Sequence, residues 1–253
     1  MLLAIDVGNS NIVIGVIDGD TIIHKGRMHT NIQETTDEYA IKLHSFLQLR
    51  GVVDKIDGAI IASVVPPLIR SLKKAVKLVT GQNALVVGPG IKTGLSIMID
   101  DPSELGADMV VGAVAAKEKY PCPLIIFDLG TATTGSVIDK NGNFIGAVIT
   151  AGVKTSLNAL ASGTALLPLI DISAPKKVIG TNTIDSMRSG AVIGTAAMID
   201  GLIDKFEAEL GEKATVIITG GLGTEVSKNC VHEVVLLQNL LLDGLKIIYD
   251  KNK

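Results

Sequence analysis

The sequence predicts an α/β protein built from two related units, each with a mixed sheet flanked by helices. Three observations carry that expectation. Short apolar, β-branched runs alternate with segments of helical periodicity along the whole chain. The run Leu2–Ile5 ends in Asp6-Val7-Gly8-Asn9-Ser10, and the run Leu124–Phe127 ends in Asp128-Leu129-Gly130-Thr131-Ala132, with the Asp and the Gly recurring at one common offset. Finally, 47% of the 253 residues are hydrophobic and only 19% are charged, a balance that buries a core rather than leaving a chain disordered. At about 150 residues per domain, this length suits one or two domains.

Taken in order, Leu2–Ile5 and Ile12–Ile17 are strands, with the turn Asp18-Gly19-Asp20 leading to a third at Thr21–Ile23. Thr35 to Glu38 form a capping box for a helix that places Leu43, Phe46 and Leu47 on one face and stops at Gly51. Ile60–Val65 reads as a buried strand, and Pro66-Pro67 opens an amphipathic helix from Leu68 to Val79. Ser103–Ala116 reads as one helix. Lys117–Pro123 breaks the pattern, which sets the expected domains at residues 1–116 and 117–253. The second unit repeats the hairpin, with its turn at Asp139–Gly142. A long helix from Thr183 to about Leu210, a strand at Thr215–Thr219, a Gly-rich turn at Gly220–Gly223 and a closing helix at Leu240–Tyr249 follow.

Composition excludes several functions. The net charge is −3 and aromatics are 3% with no Trp, so neither a basic field nor stacking platforms exist for nucleic acid. Cys122 and Cys230 match no metal or redox spacing, and the four histidines are scattered. With no apolar stretch near the ~20 residues of a membrane span and no signal-peptide pattern, the expectation is a cytoplasmic protein without membrane partners. There is no Walker-type Gly-x4-Gly-Lys sequence and no Gly-x-Ser-x-Gly elbow.

What remains is the pair of Asp-containing turns. Glycine lets the backbone approach a phosphate, amides and hydroxyls bond its oxygens, and the aspartate holds a cation. Two such turns facing each other would clamp a polyphosphate with its metal. The Thr219–Gly223 turn offers room for a flat base. Asp108 shares an expected helix with Glu104 at i, i+4, where the two carboxylates repel, and partial burial would raise its pKa and suit it to general-base work; the alternative is a solvent-facing Asp on an otherwise buried helix. Gly190, Gly194, Ala197 and Gly201 mark one side of the long helix, for close packing inside the core or, second choice, across a dimer.

The paired turns together with Thr219-Gly220-Gly221 resemble the actin-like ATPase superfamily of acetate and sugar kinases, chaperones and actin. Within it, the sequence closely resembles the type III pantothenate kinases nearly end to end: Asp6–Asn11, Ala62–Pro66, Asp101–Asp108, Asp128–Thr134, Gly180–Thr183 and Thr219–Gly221 all match motifs of that family. The resemblance implies two ribonuclease-H-like domains, a homodimer, and phosphorylation of pantothenate by ATP as the first step of coenzyme A synthesis. It implies that Asp6, Val7, Gly8, Asn9, Ser10, Asn11, Ile12, Val13 and Thr131 bind ATP and that Asp6 organises Mg²⁺. Asp128 would hold the monovalent cation, K⁺ or NH₄⁺. Gly106, Ala107, Asp108, Met109 and Thr183 would line the substrate site, with Asp108 as proton acceptor.

Departures from the family pattern cluster on the substrate side. Met109 and Gly163 stand where the family usually has arginine, and Ala147 and Ala151 replace residues of a further motif. Two of these changes remove positive charge that would meet an anionic substrate, leaving Lys154 and Arg188 as candidate partners for its carboxylate. A kinase with a changed acceptor, or an ATP-binding regulator without turnover, are the competing expectations.

Overall fold

A computed structural model describes all 253 residues. In chain order the elements begin with β1 (Leu2–Val7), β2 (Asn11–Asp18), β3 (Thr21–His29), α1 (Thr36–Gln48), β4 (Gly58–Ser63), α2 (Pro66–Thr80), β5 (Leu85–Val86), β6 (Ser96–Ile97) and α3 (Ala107–Lys119). They continue with β7 (Leu124–Leu129), β8 (Ala132–Ile138), β9 (Asn143–Ala151), α4 (Val153–Gly163), α5 (Thr183–Leu210), β10 (Thr215–Thr219), α6 (Gly223–Ser227), β11 (Val235–Leu236) and α7 (Leu240–Lys251).

The chain divides into two compact units. Unit 1 comprises Met1–Gly94, Asp101–Ala115 and Leu240–Lys253, and unit 2 comprises Leu95–Asp100 and Ala116–Asn239. The sheet of unit 1 has the order β3-β2-β1-β4-β5, and that of unit 2 the order β11-β10-β7-β8-β9-β6. In both, three antiparallel strands follow one another and the first of them pairs in parallel with a strand reached through a helical crossover. The internal repeat read from the two Asp-x-Gly turns is thus a repeat of whole mixed sheets.

Unit 1 has its main core between one sheet face and two helices. Leu3, Ile5 and Val7 of β1 and Ile12, Ile14 and Val16 of β2 meet Tyr39, Leu43 and Leu47 of α1 and Leu68, Leu72 and Val76 of α2. Thr35 caps α1 with the expected capping box, a motif whose loss typically costs about 1 kcal/mol. Buried Tyr39 donates its hydroxyl to Asn31 O at 2.9 Å, so its polar tip is satisfied. In unit 2, Ile125, Phe127 and Leu129 of β7 pack on Ala196, Ile199 and Ile203 of α5.

Two segments depart from the linear division at residue 117. The closing helix α7 joins unit 1, where Leu242 packs over Gly15 and Tyr249 over Gly58. Residues 95–100 join unit 2, because β6 pairs in parallel with β9. Both are long-range pairings with no local signature. The glycine stripe of α5 is corrected more sharply: nothing lies within 4 Å of a side chain built at Gly190, Gly194 or Gly201, so these residues do not serve close packing inside the chain. No helix is long and apolar enough to cross a membrane. Both cysteines are free thiols, and burial, together with the nearby Asp200 carboxylate, pushes Cys230 up to about 11.

Candidate active site

The first Asp-containing turn lies at the end of β1. Asp6 is 9% exposed and pairs across the sheet with Val13 on one side and Ala62 on the other. Gly8 N donates to Asn11 O at 3.0 Å, closing a tight turn that leaves Asn9 and Ser10 exposed. Buried Val7 and Ile12 anchor the turn at its base.

The end of β4 joins this turn to Asp108. Val64 N donates to Val7 O at 3.0 Å, and the Val64 side chain lies against Gly106. A Cβ at Gly106 would sit 2.6 Å from Asp108 Oδ1, so the missing side chain is what allows the carboxylate to fold back over the chain there. Asp108 stands in the first turn of α3, half-buried, and accepts the Met109 amide at 2.8 Å. Burial holds its carboxyl above the ordinary carboxylate range, against the opposing pull of the Met109 amide.

Burial is the expected reason for that shift, but the expected stacking of Glu104 on Asp108 is not found. The helix begins at Ala107 and not at Ser103. Pro102–Glu104 form a separate 3₁₀ turn, capped by Asp101, which accepts Ser103 N at 2.8 Å and Ser103 Oγ at 2.6 Å. Glu104 is therefore off the helix and exposed, and no stacked carboxylate contributes to Asp108. Desolvation alone raises it.

In unit 2, Asp128 occupies the matching place at the end of β7, opposite Thr134 and beside Thr219. Gly220 follows Thr219 with φ +94, and a Cβ there would lie 2.6 Å from both Asp128 Oδ1 and Leu129 N. Only glycine fits that conformation and that contact. Thr131 sits at the exposed apex of the turn. Gly130 N donates to Ala132 O at 3.0 Å, so this turn is one residue tighter than the first.

No group of three or more His, Cys, Asp or Glu side chains could cage a metal ion. A single buried carboxylate such as Asp6 fits a Mg²⁺ ion that takes its other ligands from phosphate and water, which is how that ion is usually held in kinases.

Thr183 opens α5, behind the N-cap Asn182, whose Oδ1 accepts Asp185 N at 2.9 Å. It lines an open cavity of about 990 Å³ within unit 2, together with Ala151, Leu157, Thr181, Met187 and Gly190, and no charged side chain lines that cavity. Of the two candidate cations, Arg188 is engaged by Asp185 at 3.8 Å and by Asp171 O at 3.4 Å. Lys154, exposed in the first turn of α4 beside the cavity residue Val153, makes no ion pair. Gly163 closes α4, Ala147 lies in β9, and neither lines the cavity. Ser63 escaped the sequence reading as a local brace: its Oγ accepts Val65 N at 3.0 Å and shapes the chain between β4 and α2.

Two mixed sheets that share the order of five strands, the second with β6 added at its edge, each with an Asp-containing turn after its first strand, define a protein of the actin-like ATPase and sugar-kinase fold. Solved structures agree in fold. The chain superposes with a TM-score of 0.62 at 14% identity on a Sinorhizobium meliloti protein assigned as a 2-dehydro-3-deoxygalactonokinase, covering 98% of each chain. With the polyphosphate/ATP-glucomannokinase of Arthrobacter sp. strain KM the TM-score is 0.51 at 13% identity, covering 99% of this chain and 98% of the other. Within this class, the family model for type III pantothenate kinase matches residues 2–205. The type III pantothenate kinase of Exiguobacterium sibiricum is 44% identical over 254 residues, all of both chains. The chain belongs to the type III pantothenate kinase family, a family of phosphotransferases.

Proposed function

We propose that the protein transfers the γ-phosphoryl group of ATP to the 4′-hydroxyl of pantothenate, giving ADP and 4′-phosphopantothenate, the first step of coenzyme A synthesis in the cytoplasm. The observation that carries this reading is Asp108, half-buried with a raised pKa and linked to the first turn through Gly106, Val64 and Val7. A carboxylate tuned upward in this way is a better proton acceptor for a hydroxyl near neutral pH.

In this reading the turn from Asp6 to Val13 and Thr131 bind the phosphates through amides and hydroxyls. Asp6 holds Mg²⁺ and Asp128 holds K⁺ or NH₄⁺; bound there, the cations neutralise phosphate charge. Gly106, Ala107, Met109 and Thr183 bind pantothenate, and Asp108 takes the proton from its hydroxyl as the oxygen attacks phosphorus. Phosphoryl transfer demands positioning and charge neutralisation more than covalent chemistry from the protein, and these residues supply both. Of the two candidate cations, Lys154 is the one left available for the substrate carboxylate.

A homodimer belongs to the same reading. The glycine stripe of α5 faces open space, and Ile149, Leu160, Leu166 and Ile179 of unit 2 are exposed apolar residues, a surface suited to a second copy of the chain. The uncharged cavity around Thr183 favours one other reading, a kinase of the same fold acting on an acceptor without a carboxylate.

The test is ADP release by purified protein with ATP, Mg²⁺ and pantothenate, in K⁺ and in Na⁺, on a preparation whose mass is measured by light scattering. We expect ADP release that depends on pantothenate, runs faster in K⁺, and comes from a species of twice the chain mass. Release no greater than with ATP alone, in either salt, would overturn the assignment of pantothenate as acceptor.

A further inference from the structure

Each Asp-containing turn is braced by a threonine hydroxyl from outside it, and we propose that Thr30 and Thr155 are positioning residues that aim the turn amides at the phosphates of the nucleotide. The inference rests on the reading that these turns bind ATP. In unit 1, Thr30 grips the turn at two points. Its Oγ1 donates to Gly8 O at 2.6 Å, and its amide donates to Ser10 O at 3.1 Å.

A trans peptide points its carbonyl and the following amide in opposite directions. Drawing the Gly8 and Ser10 carbonyls toward Thr30 therefore turns the Asn9 and Asn11 amides away from it. The Asn9 amide has no acceptor within the protein. Aligned amides of this kind are the usual protein donors to phosphate oxygens. Without the hydroxyl, the Gly8–Asn9 peptide is free to rotate and to present a carbonyl oxygen where a phosphate would sit.

Unit 2 holds its turn through one carbonyl, Thr131 O, and with a different hydroxyl donor. Gly152 follows β9 as Thr30 follows β3, and its amide donates to Thr131 O at 3.1 Å, matching the contact from Thr30 to Ser10. A side chain at Gly152 has no room, since its Cβ would lie 2.3 Å from Gly130 O. The hydroxyl comes instead from the first turn of α4, where Thr155 Oγ1 donates to Thr131 O at 2.7 Å. Thr155 thus grips the carbonyl that corresponds to Ser10 O, whereas Thr30 Oγ1 grips Gly8 O; a hydroxyl brace on each turn, set on different carbonyls from non-equivalent positions, argues for a demand of the turn itself.

The test compares Thr30→Val and Thr155→Val with Thr30→Ser and Thr155→Ser, which keep the hydroxyl. ATP affinity is measured by calorimetry and the KM values for ATP and pantothenate by ADP release, on variants whose thermal midpoints match the wild type. We expect each valine to weaken ATP binding about five- to tenfold, the loss of one hydrogen bond that holds a binding group. Each serine should restore ATP affinity to within about twofold of wild type, and KM for pantothenate should move by less than about twofold in all four. Should Thr30→Val fail to fold, the Thr155 pair decides the matter. Valine variants that bind ATP as well as the wild type, or serine variants as weak as the valines, would overturn the proposal. A wild-type protein that binds no ATP would instead overturn the ATP reading, and this proposal with it.

Discussion

Asp108→Asn is expected to lower kcat by about 10²–10⁴-fold, the usual worth of a positioned general base, while KM for ATP stays within about twofold. The same substitution should leave the thermal midpoint unchanged or raise it. Burial lifts the Asp108 carboxyl above the ordinary range, so the folded protein holds this proton where the unfolded chain has released it. The group's contribution to stability is thus most favourable at low pH. It falls as pH rises from the ordinary carboxylate value through the raised one, and the cost persists above it. Asparagine removes that cost, so Asp108→Asn should gain stability over wild type as pH rises through the same window. The wild-type kcat/KM should fall as pH drops through that raised value, because the protonated acid cannot accept the substrate's proton. Steady-state kinetics and thermal melts on the pair, across pH, check both arms. A variant that keeps its rate would remove Asp108 from the chemistry, and one that loses its midpoint would make it a structural residue.

Gly220→Ala is expected to destabilise the protein by about 2–4 kcal/mol, combining a strained positive φ with an overpacked contact. The added methyl would lie 2.6 Å from Asp128 Oδ1 and from Leu129 N, and the Leu129 backbone cannot swing aside. Gly221→Ala is the matched control. Its site has open space and no positive φ, so the change should stay within about 0.5 kcal/mol. Denaturant unfolding of the three proteins measures the difference. Where Gly220→Ala still folds, displacement of Asp128 should also weaken the stimulation of ADP release by K⁺ over Na⁺. Equal stability of the two alanine variants would mean that the Asp128 turn tolerates a side chain at its back.

These effects differ in how far they could be read from sequence. Asp6 and Asp128 announce themselves because an apolar strand ends at each and glycine follows, a purely local pattern. The capping box at Thr35 and Glu38, the long helix from Thr183 and the strand Thr215–Thr219 were legible for the same reason: cap chemistry and side-chain periodicity are local. Asp101-Pro102-Ser103 reads equally well as the start of a long helix, and the break at Leu105 and Gly106 follows from packing against Val64, which sequence does not reveal. The burial that raises the Asp108 carboxyl is thus legible in its apolar neighbours along the chain, while the separation of Glu104 from that helix is not. The placement of α7 on the first unit depends on Gly15 and Gly58 leaving room for Leu242 and Tyr249, residues nearly a whole chain away. The brace from Thr30 to Gly8 spans 22 positions, and nothing around Thr30 distinguishes it from any other polar residue after a strand.

The central claim is the identity of the acceptor, and phosphorus NMR of the reaction mixture tests it most directly. With ATP, Mg²⁺, K⁺ and pantothenate, the γ-phosphate signal should be replaced by that of a phosphomonoester coupled to the 4′-methylene protons of pantothenate, in step with the appearance of ADP. A γ-phosphate that persists in a protein shown to bind ATP, or that becomes inorganic phosphate alone, would contradict the account.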